Sequence, residues 1–509
     1  MSQMSVPMIG VCLACVLICA EAFSSSAIAQ QQQGGQQGGQ QGGQQGGQQG
    51  GQQGGQQGGQ QGGQQGGQQQ GGGAGAGQGS QAGGAGVVVD PQGVLRVLSM
   101  SDSNLRKIRQ RSSIEQLPRD LRRPSKLRKV ALGRLETALA ATLESGGTLS
   151  DEMTNLAGLT QIRYVFVYPA TADSPGEVVL AGPAEPWAED LFGRPIGVES
   201  EAPIVQLEDL AAAMRVFPPG QPSDQLVGCS IDPTQEGLAR MQTYLESIGP
   251  VIPRGTTDQS ITRGLRESLG PQTVSVQGVS PHTHFAQVLV EADYRMKLIG
   301  IGLEKPPVRM STWIDLTSSG SVAKNALQRW FFTPNYECLK VSEDDLAVEL
   351  VGKGVKLIGA DEMVLPDGRR MSAQQPSRAS KLFTQAFTLK YPQIARQHPV
   401  YAQLKTLIDL AIVAAYLQEH GSYESAGWSA DVFLDESAYP IERFVAPQKI
   451  DCAVNAVRRG SRLLTPIGGG VVITARESFT QANLQIDETG KLQDEYDSVS
   501  ISVENWWWD

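Results

Sequence analysis

The chain has 509 residues, with 42 Lys plus Arg against 52 Asp plus Glu, a formal net charge of -10 and 59 glycines. Its length allows two or three domains with real cores, and its overall balance is acidic although the charge is not spread evenly.

The first segment reads as an export signal. Residues 6–20 are almost wholly apolar, the run stops at Glu21, and Ser24, Ser25 and Ser26 lead to Ala27-Ile28-Ala29, the small-x-small pattern of a signal-peptidase site. A spanning helix needs about 20 apolar residues, and this run is shorter and interrupted by Pro7. We expect a signal peptide over residues 1–29, although positions 1–7 hold no Lys or Arg, and Cys15 after Leu13-Ala14 offers lipid attachment as an alternative to cleavage. Residues 30–86 then form a Gln/Gly-rich low-complexity linker built on a Gln-Gln-Gly-Gly repeat. Nothing in it is apolar enough to offset the entropy of ordering, so it is expected to be disordered, with a reach on the order of 40 Å.

A globular body follows. Residues 87–89 and 94–97 read as strands around the turn Asp90-Pro91-Gln92-Gly93, and residues 130–143 carry helical spacing. Between them, segment 105–134 is strongly basic, with Arg106, Lys107, Arg109, Arg111, Arg119, Arg122, Arg123, Lys126, Arg128, Lys129 and Arg134 against Glu115 and Asp120. Such a stretch can dock an anionic surface or polymer; it has no interleaved aromatics to stack bases, and its compensation by acidic segments of the same chain is the competing reading.

A second hairpin is expected from residues 164–168 and 177–181, turning through Asp173-Ser174-Pro175-Gly176, and a helix over residues 207–216. Residues 226–231 read as a strand, with Asp232 capping a helix that starts at Pro233 and buries Leu238, Met241 and Leu245. A further helix over 261–269 leads into a strand at 273–279, and the likeness of Leu245-Glu246-Ser247-Ile248-Gly249-Pro250 to Arg266-Glu267-Ser268-Leu269-Gly270-Pro271 hints at a duplicated unit. Ser280-Pro281 looks like a helix start, with Phe285, Leu289, Ala292, Met296 and Ile299 on the apolar side. Past Pro306-Pro307 the pattern turns to sheet at 330–332, 339–341, 346–351 and 355–358, with a tight turn at Pro366-Asp367-Gly368. Helices follow at 377–391 and 400–417; the second is too short and too charged to span a membrane and reads as a buried core helix.

The fold class is α+β: mixed helices and small, largely antiparallel sheets in two or more subdomains after the disordered repeat. We expect an α+β domain over residues 87–305, a sheet-then-helix domain over 306–475, and an acidic tail over 476–509 ending in Trp506-Trp507-Trp508-Asp509. Those tryptophans are expected to pack internally or against a second copy.

Catalytic patterns are scarce. There is no G-x-S-x-G, H-E-x-x-H, P-loop, dinucleotide or calcium-loop motif. Ser321-Val322-Ala323-Lys324 matches S-x-x-K at the start of an expected helix to Trp330, but lacks the partner motifs, and reads as a capping serine beside a solvated lysine. Cys229 precedes a helix without a histidine placed to activate it. The pair His282 and His284 lacks a third ligand in reach, and the cysteines left after the signal, Cys229, Cys338 and Cys452, are too far apart for a metal knuckle, so buried thiols are expected. We therefore assign no catalytic, cofactor-binding or metal residue and no cofactor.

Five strings carry a resemblance: Gly182-Pro183-Ala184-Glu185-Pro186-Trp187, Cys229-Ser230-Ile231-Asp232-Pro233-Thr234, residues 285–297, residues 325–330, and Pro466-Ile467-Gly468-Gly469-Gly470. Through them residues 87–474 resemble a family of uncharacterised exported planctomycete proteins defined by a domain of unknown function. The resemblance implies export, and it brings no activity or site residue. The leading expectation is a non-catalytic cell-envelope or secreted interaction protein, with a protein partner in the envelope, no nucleic-acid partner and no transmembrane helix in the mature chain. A hydrolase or transferase on an unrecognised fold is one alternative. A carbohydrate or small-ligand binder using Trp187, Trp428 or the last tryptophans is another.

Overall fold

A computed structural model of the chain describes residues 86–97, 114–115, 117–221, 225–249, 255–317, 326–365, 369–372, 377–455, 467–499 and 507–509. The expected signal peptide, the linker up to residue 85, Arg106, Lys107, Arg109, Arg111, Ser321, Lys324, the turn 366–368 and Trp506 lie outside the described residues.

In chain order the elements are β1 (Val87–Val89), β2 (Val94–Val97), β3 (Ser125–Ala131), α1 (Leu132–Glu144), β4 (Tyr164–Tyr168), β5 (Glu177–Ala184), β6 (Trp187–Glu189), β7 (Pro195–Gly197), α2 (Leu207–Val216), β8 (Val227–Asp232), α3 (Gln235–Ile248), α4 (Asp258–Leu269), β9 (Gln272–Gln277) and α5 (His284–Gly300). There follow β10 (Ala326–Pro334), β11 (Leu339–Val341), β12 (Ala347–Leu350), β13 (Val355–Gly359), β14 (Glu362–Val364), β15 (Arg370–Ser372), α6 (Arg378–Gln397), α7 (Pro399–Glu419), β16 (Lys449–Ile450), β17 (Ile467–Ile473), β18 (Gln485–Ile486) and α8 (Lys491–Ser498), with a few single-turn helices between. The class is α+β as expected.

Local chemistry explains the elements that near neighbours specify. In the first hairpin the Asp90 carboxylate accepts the N–H groups of Gln92 and Val94, both at 3.0 Å, and Gly93 takes φ 76°, so Val87 pairs with Val97. The second hairpin pairs β4 with β5 as expected. Helix α3 begins later than expected: Thr234, not Asp232, caps it, accepting the Gly237 N–H at 3.0 Å, while Asp232 stays in β8. Thr234→Ala is expected to lower stability by about 1 kcal/mol in urea unfolding, the usual worth of such a cap; an unchanged midpoint would show the cap idle. The likeness of the two strings noted above is that of two helix ends, since Gly249 (φ 75°) and Gly270 (φ 70°) each close a helix in the left-handed region. Helix α5 is capped by Thr283, three residues beyond the expected start.

The strands assemble into a ten-stranded sheet ordered β1-β2-β16-β9-β8-β17-β10-β14-β15, with β13 also paired to β10. A six-stranded sheet runs β18-β11-β12-β4-β5-β3, and β6 pairs with β7. Most pairs are antiparallel; β2 with β16, β10 with β17 and β11 with β18 are parallel. The strands expected after Pro306-Pro307 all form and are shared between the two larger sheets. One expectation is corrected: from Ala326 the segment expected as a helix to Trp330 is strand β10. Its Trp330 and Phe332 are fully buried against Phe383 and Phe387 of α6, a tertiary contact that outweighs the local helix-start pattern.

Strand β17 lies in the middle of the large sheet, between β8 and β10, and there its glycines are required. A Cβ at Gly469 (φ 137°) would sit 1.8 Å from the Trp330 carbonyl oxygen, and one at Gly470 would sit 1.9 Å from that of Cys229. On the helical side, α7 is long and apolar enough to cross a membrane by composition, with mean hydropathy 1.4, but 83% of that stretch is buried inside the protein. The reading of this helix as too short and too charged to span a membrane is corrected, because it runs for 21 residues; what makes it a core helix is its burial against α2 and α5. Cys229, Cys338 and Cys452 are buried free thiols.

Candidate functional site

Helix α5 carries the chemistry of the body. An amphipathic helix keeps its charges on the solvent face, yet here His284, Glu291, Asp293, Arg295 and Lys297 are all buried. Three polar clusters grow from it.

The first joins α5 to the large sheet. Lys297 Nζ donates to Asp293 Oδ2 at 2.6 Å, to the Ile231 carbonyl of β8 at 3.0 Å and to the Gly469 carbonyl of β17 at 3.2 Å. An ammonium has three protons, and all three are used. Burial raises the Asp293 carboxyl to about 6, against the opposing pull of Lys297. At the neighbouring strand ends Asp232 pairs with Arg329 at 3.0 Å and Arg370 at 3.2 Å, and a Cβ at Gly468 would press on Asp232 Oδ1 at 2.6 Å. The string around Cys229, residues 285–297 and the described parts of two more, 327–330 and 468–470, therefore meet at one place. The thiol of Cys229 is the group there with nucleophilic potential, and burial, with Asp293 near, pushes it well above the ordinary range, so it stays protonated and inert.

The second cluster lies on another side of α5. Asp190 accepts the N–H groups of Phe192 and Arg194 at 2.8 and 2.9 Å, a turn that aims Arg194 inward. Arg194 Nη2 then spans both oxygens of Glu291 at 2.9 and 3.0 Å, Arg295 Nε reaches Oε1 at 2.7 Å, and the Gly86 N–H reaches Oε2 at 2.8 Å. Burial alone would raise the Glu291 carboxyl, but Arg194 and Arg295 hold it below its ordinary value. Arg295 continues to Glu304 at 3.1 Å, and Glu304 stands 3.9 Å from His398. The end of the linker is thus tied into the core, and a Cβ at Gly86 would collide with Arg194 Nη2 at 2.2 Å.

His398 is held neutral, lowered to about 4 by burial and by the Arg295 charge. Its stabilising contribution is fully present above pH 6.5 and lost as pH falls through 4. Over that window this amounts to about 3 kcal/mol, at 1.36 kcal/mol per unit. Asp293 acts with the opposite sign, since its raised carboxyl contributes below its unfolded value near 4 and loses that contribution as pH rises through 6. Urea unfolding between pH 4 and 6.5 is expected to show His398→Gln gaining stability on acidification relative to the parent chain, and Asp293→Asn losing it. Parallel profiles for all three proteins would refute both assignments.

In the third cluster His284 Nδ1 lies 3.0 Å from both oxygens of Asp209, and Nε2 lies 3.5 Å from Gln403 Nε2, all three side chains buried. The pair has the orientation of an acid–base dyad, but its outer nitrogen faces Gln403 of α7 within the core, so it ties α2, α5 and α7 together.

The residues singled out from sequence fall as follows. His282 binds the Phe444 carbonyl through Nδ1 at 2.8 Å, so the two histidines serve different partners. Among the described residues no three His, Cys, Asp or Glu side chains are grouped to hold a metal ion. Trp187 is buried and Trp428 half-buried, the latter donating to Glu136 and packed on Tyr423 and Phe433. In the basic segment Arg122 donates to the carbonyls of Leu117 and Glu115, Arg134 faces Glu177 at 3.8 Å, and Arg128 and Lys129 meet Asp509. By sequence Glu291 enters only as a metal ligand beside His284, set aside on distance; Asp209, Arg194, Asp293 and Lys297 draw no attention of their own. For α5 a signal was available, in that Glu291 with Arg295 and Asp293 with Lys297 are i,i+4 pairs set among apolar residues; Asp209 and Arg194 had none.

No curated protein and no solved structure matches the chain. Residues 229–313, which hold most of β8, α3 to α5 and the polar groups of α5, match a family described as a protein of unknown function (DUF1598), and the chain thus carries a domain of unknown function there.

Proposed function

We propose that this is a non-catalytic exported protein of the cell envelope or the secreted space that acts through interaction. The observation that supports this reading is the internal pairing of the charges on α5: Lys297 is saturated by Asp293 and two carbonyls, Glu291 by two arginines, and His284 by Asp209 and Gln403. Groups so engaged join strands to helices. They are not poised to exchange protons with a substrate.

The segments that differ in composition from the body are the ones suited to contact: the Gln/Gly linker as a spacer, and the basic stretch 105–134 as a dock for an anionic surface or polymer, or for an envelope protein. Recovery of the full chain from native envelope fractions after light cross-linking tests this. A defined polymer or protein should be retained at low salt and shed at high salt, because exposed charge contacts are screened. A bare monomer at every salt concentration would count against the reading.

A further inference from the structure

The last described residues lie on β3, the edge strand of the six-stranded sheet, as an added antiparallel strand. Trp508 bridges Val130, the Ala131 N–H donates to the Trp507 carbonyl at 2.7 Å, and the Asp509 N–H donates to the Lys129 carbonyl at 3.2 Å. Side chains add selectivity. Trp507 is buried in the main core, the Arg128 guanidinium lies 5.0 Å from the Trp508 ring centroid and donates to the Asp509 main-chain oxygen at 2.6 Å, and the Asp509 carboxylate takes the Lys129 N–H at 3.0 Å and pairs with its ammonium.

An exposed sheet edge is a template for any extended chain of suitable sequence. We infer that the outer edge of β3 is a strand-addition site that reads aromatic-aromatic-acidic segments, and that its occupant in assembly is residues 507–509 of a second copy of this chain. The neutral ladder holds any extended segment, the core slot takes an indole, Arg128 takes a second ring by its π face, and Arg128 with Lys129 demand a carboxylate. The same chain supplies both halves, a basic edge and an acidic aromatic segment, so each copy can fill its own site or its neighbour's. Exchange of a short segment between identical chains is the low-cost route to such assembly. The inference stands on the strand contact alone and not on an envelope partner, and the test contains no envelope material, so the two readings can fail separately.

The test uses two versions of the full chain. One lacks residues 507–509 and keeps the acceptor edge. The other carries Ala131→Pro, which removes the N–H that holds Trp507 while leaving the segment free to donate. Each alone is expected to be monomeric by light scattering, and the mixture to form a one-to-one dimer. A labelled peptide Asn-Trp-Trp-Trp-Asp should bind the truncated chain and weaken about tenfold with Arg128→Ala in that background, the worth of one cation–π contact. Peptide binding without dimer formation overturns the exchange between copies. A folded truncated chain that binds neither peptide nor partner overturns the site itself, and a truncated chain that no longer folds shows the segment to be a fixed part of the core, which overturns it equally.

Discussion

Replacing Lys297 with alanine will lower the stability of the body by about 3–5 kcal/mol, a large share of the roughly 5–15 kcal/mol that holds an ordinary domain together. The loss has three parts. Asp293 loses the counter-charge that opposes its burial and must take up a proton to stay in the core, and the carbonyls of Ile231 and Gly469 lose their donor between α5 and the sheet. The pair is not thereby a strong net stabiliser, because taking two ions out of water offsets most of their attraction. The double substitution Lys297→Met with Asp293→Leu is therefore expected to recover the part of the loss that belongs to Asp293, since two apolar groups of similar volume need no counter-charge, while the Ile231 and Gly469 carbonyls stay without their donor. Urea unfolding of the parent, single and double variants checks both statements; a single variant within about 1 kcal/mol of the parent would sink the account.

Glu291→Ala is expected to cost as much, about 3–5 kcal/mol, by a different route. Here the removed group is the shared anion, and Arg194 and Arg295 are left as two like charges in the core. Arg295 retains Glu304, whereas Arg194 loses both of its contacts to Glu291. Because the Gly86 N–H also rests on Glu291, the start of β1 should loosen together with the core. Hydrogen exchange at Gly86 and along β1 should quicken well beyond the global change in Glu291→Ala and not in Lys297→Ala. Equal exchange in the two variants would separate Gly86 from this network.

The two clusters share a helix but not a partner, so their effects should add within about 0.5 kcal/mol in the combined variant if they act independently. Coupling above that value would make α5 the route between the large sheet and the β6–β7 turn.

Elements whose cause lies within a few residues were legible in the amino-acid sequence. The hairpin at 87–97 follows from Asp90 and Gly93, helix Leu207–Val216 from its spacing, and the core placement of α7 from its eight-residue apolar run Leu410 to Leu417. The composition of residues 30–86 and the basic run before β3 are equally plain. What the tertiary structure alone decided is where charges go. Lys297 meets Gly469 across 172 positions, Gly86 meets Glu291 across 205, and Arg128 meets Asp509 across 381. No local pattern encodes such pairs: helical spacing marks the side of α5 that prefers apolar contact, but a helix enclosed by β8 and β17, by the β6–β7 turn and by α7 leaves only Tyr294 and Leu298 partly open to water. The same enclosure turned a capping aspartate into the partner of Arg329 and made a strand of Ala326–Pro334, because burial against neighbours distant in sequence outweighs the preference of the nearest residues.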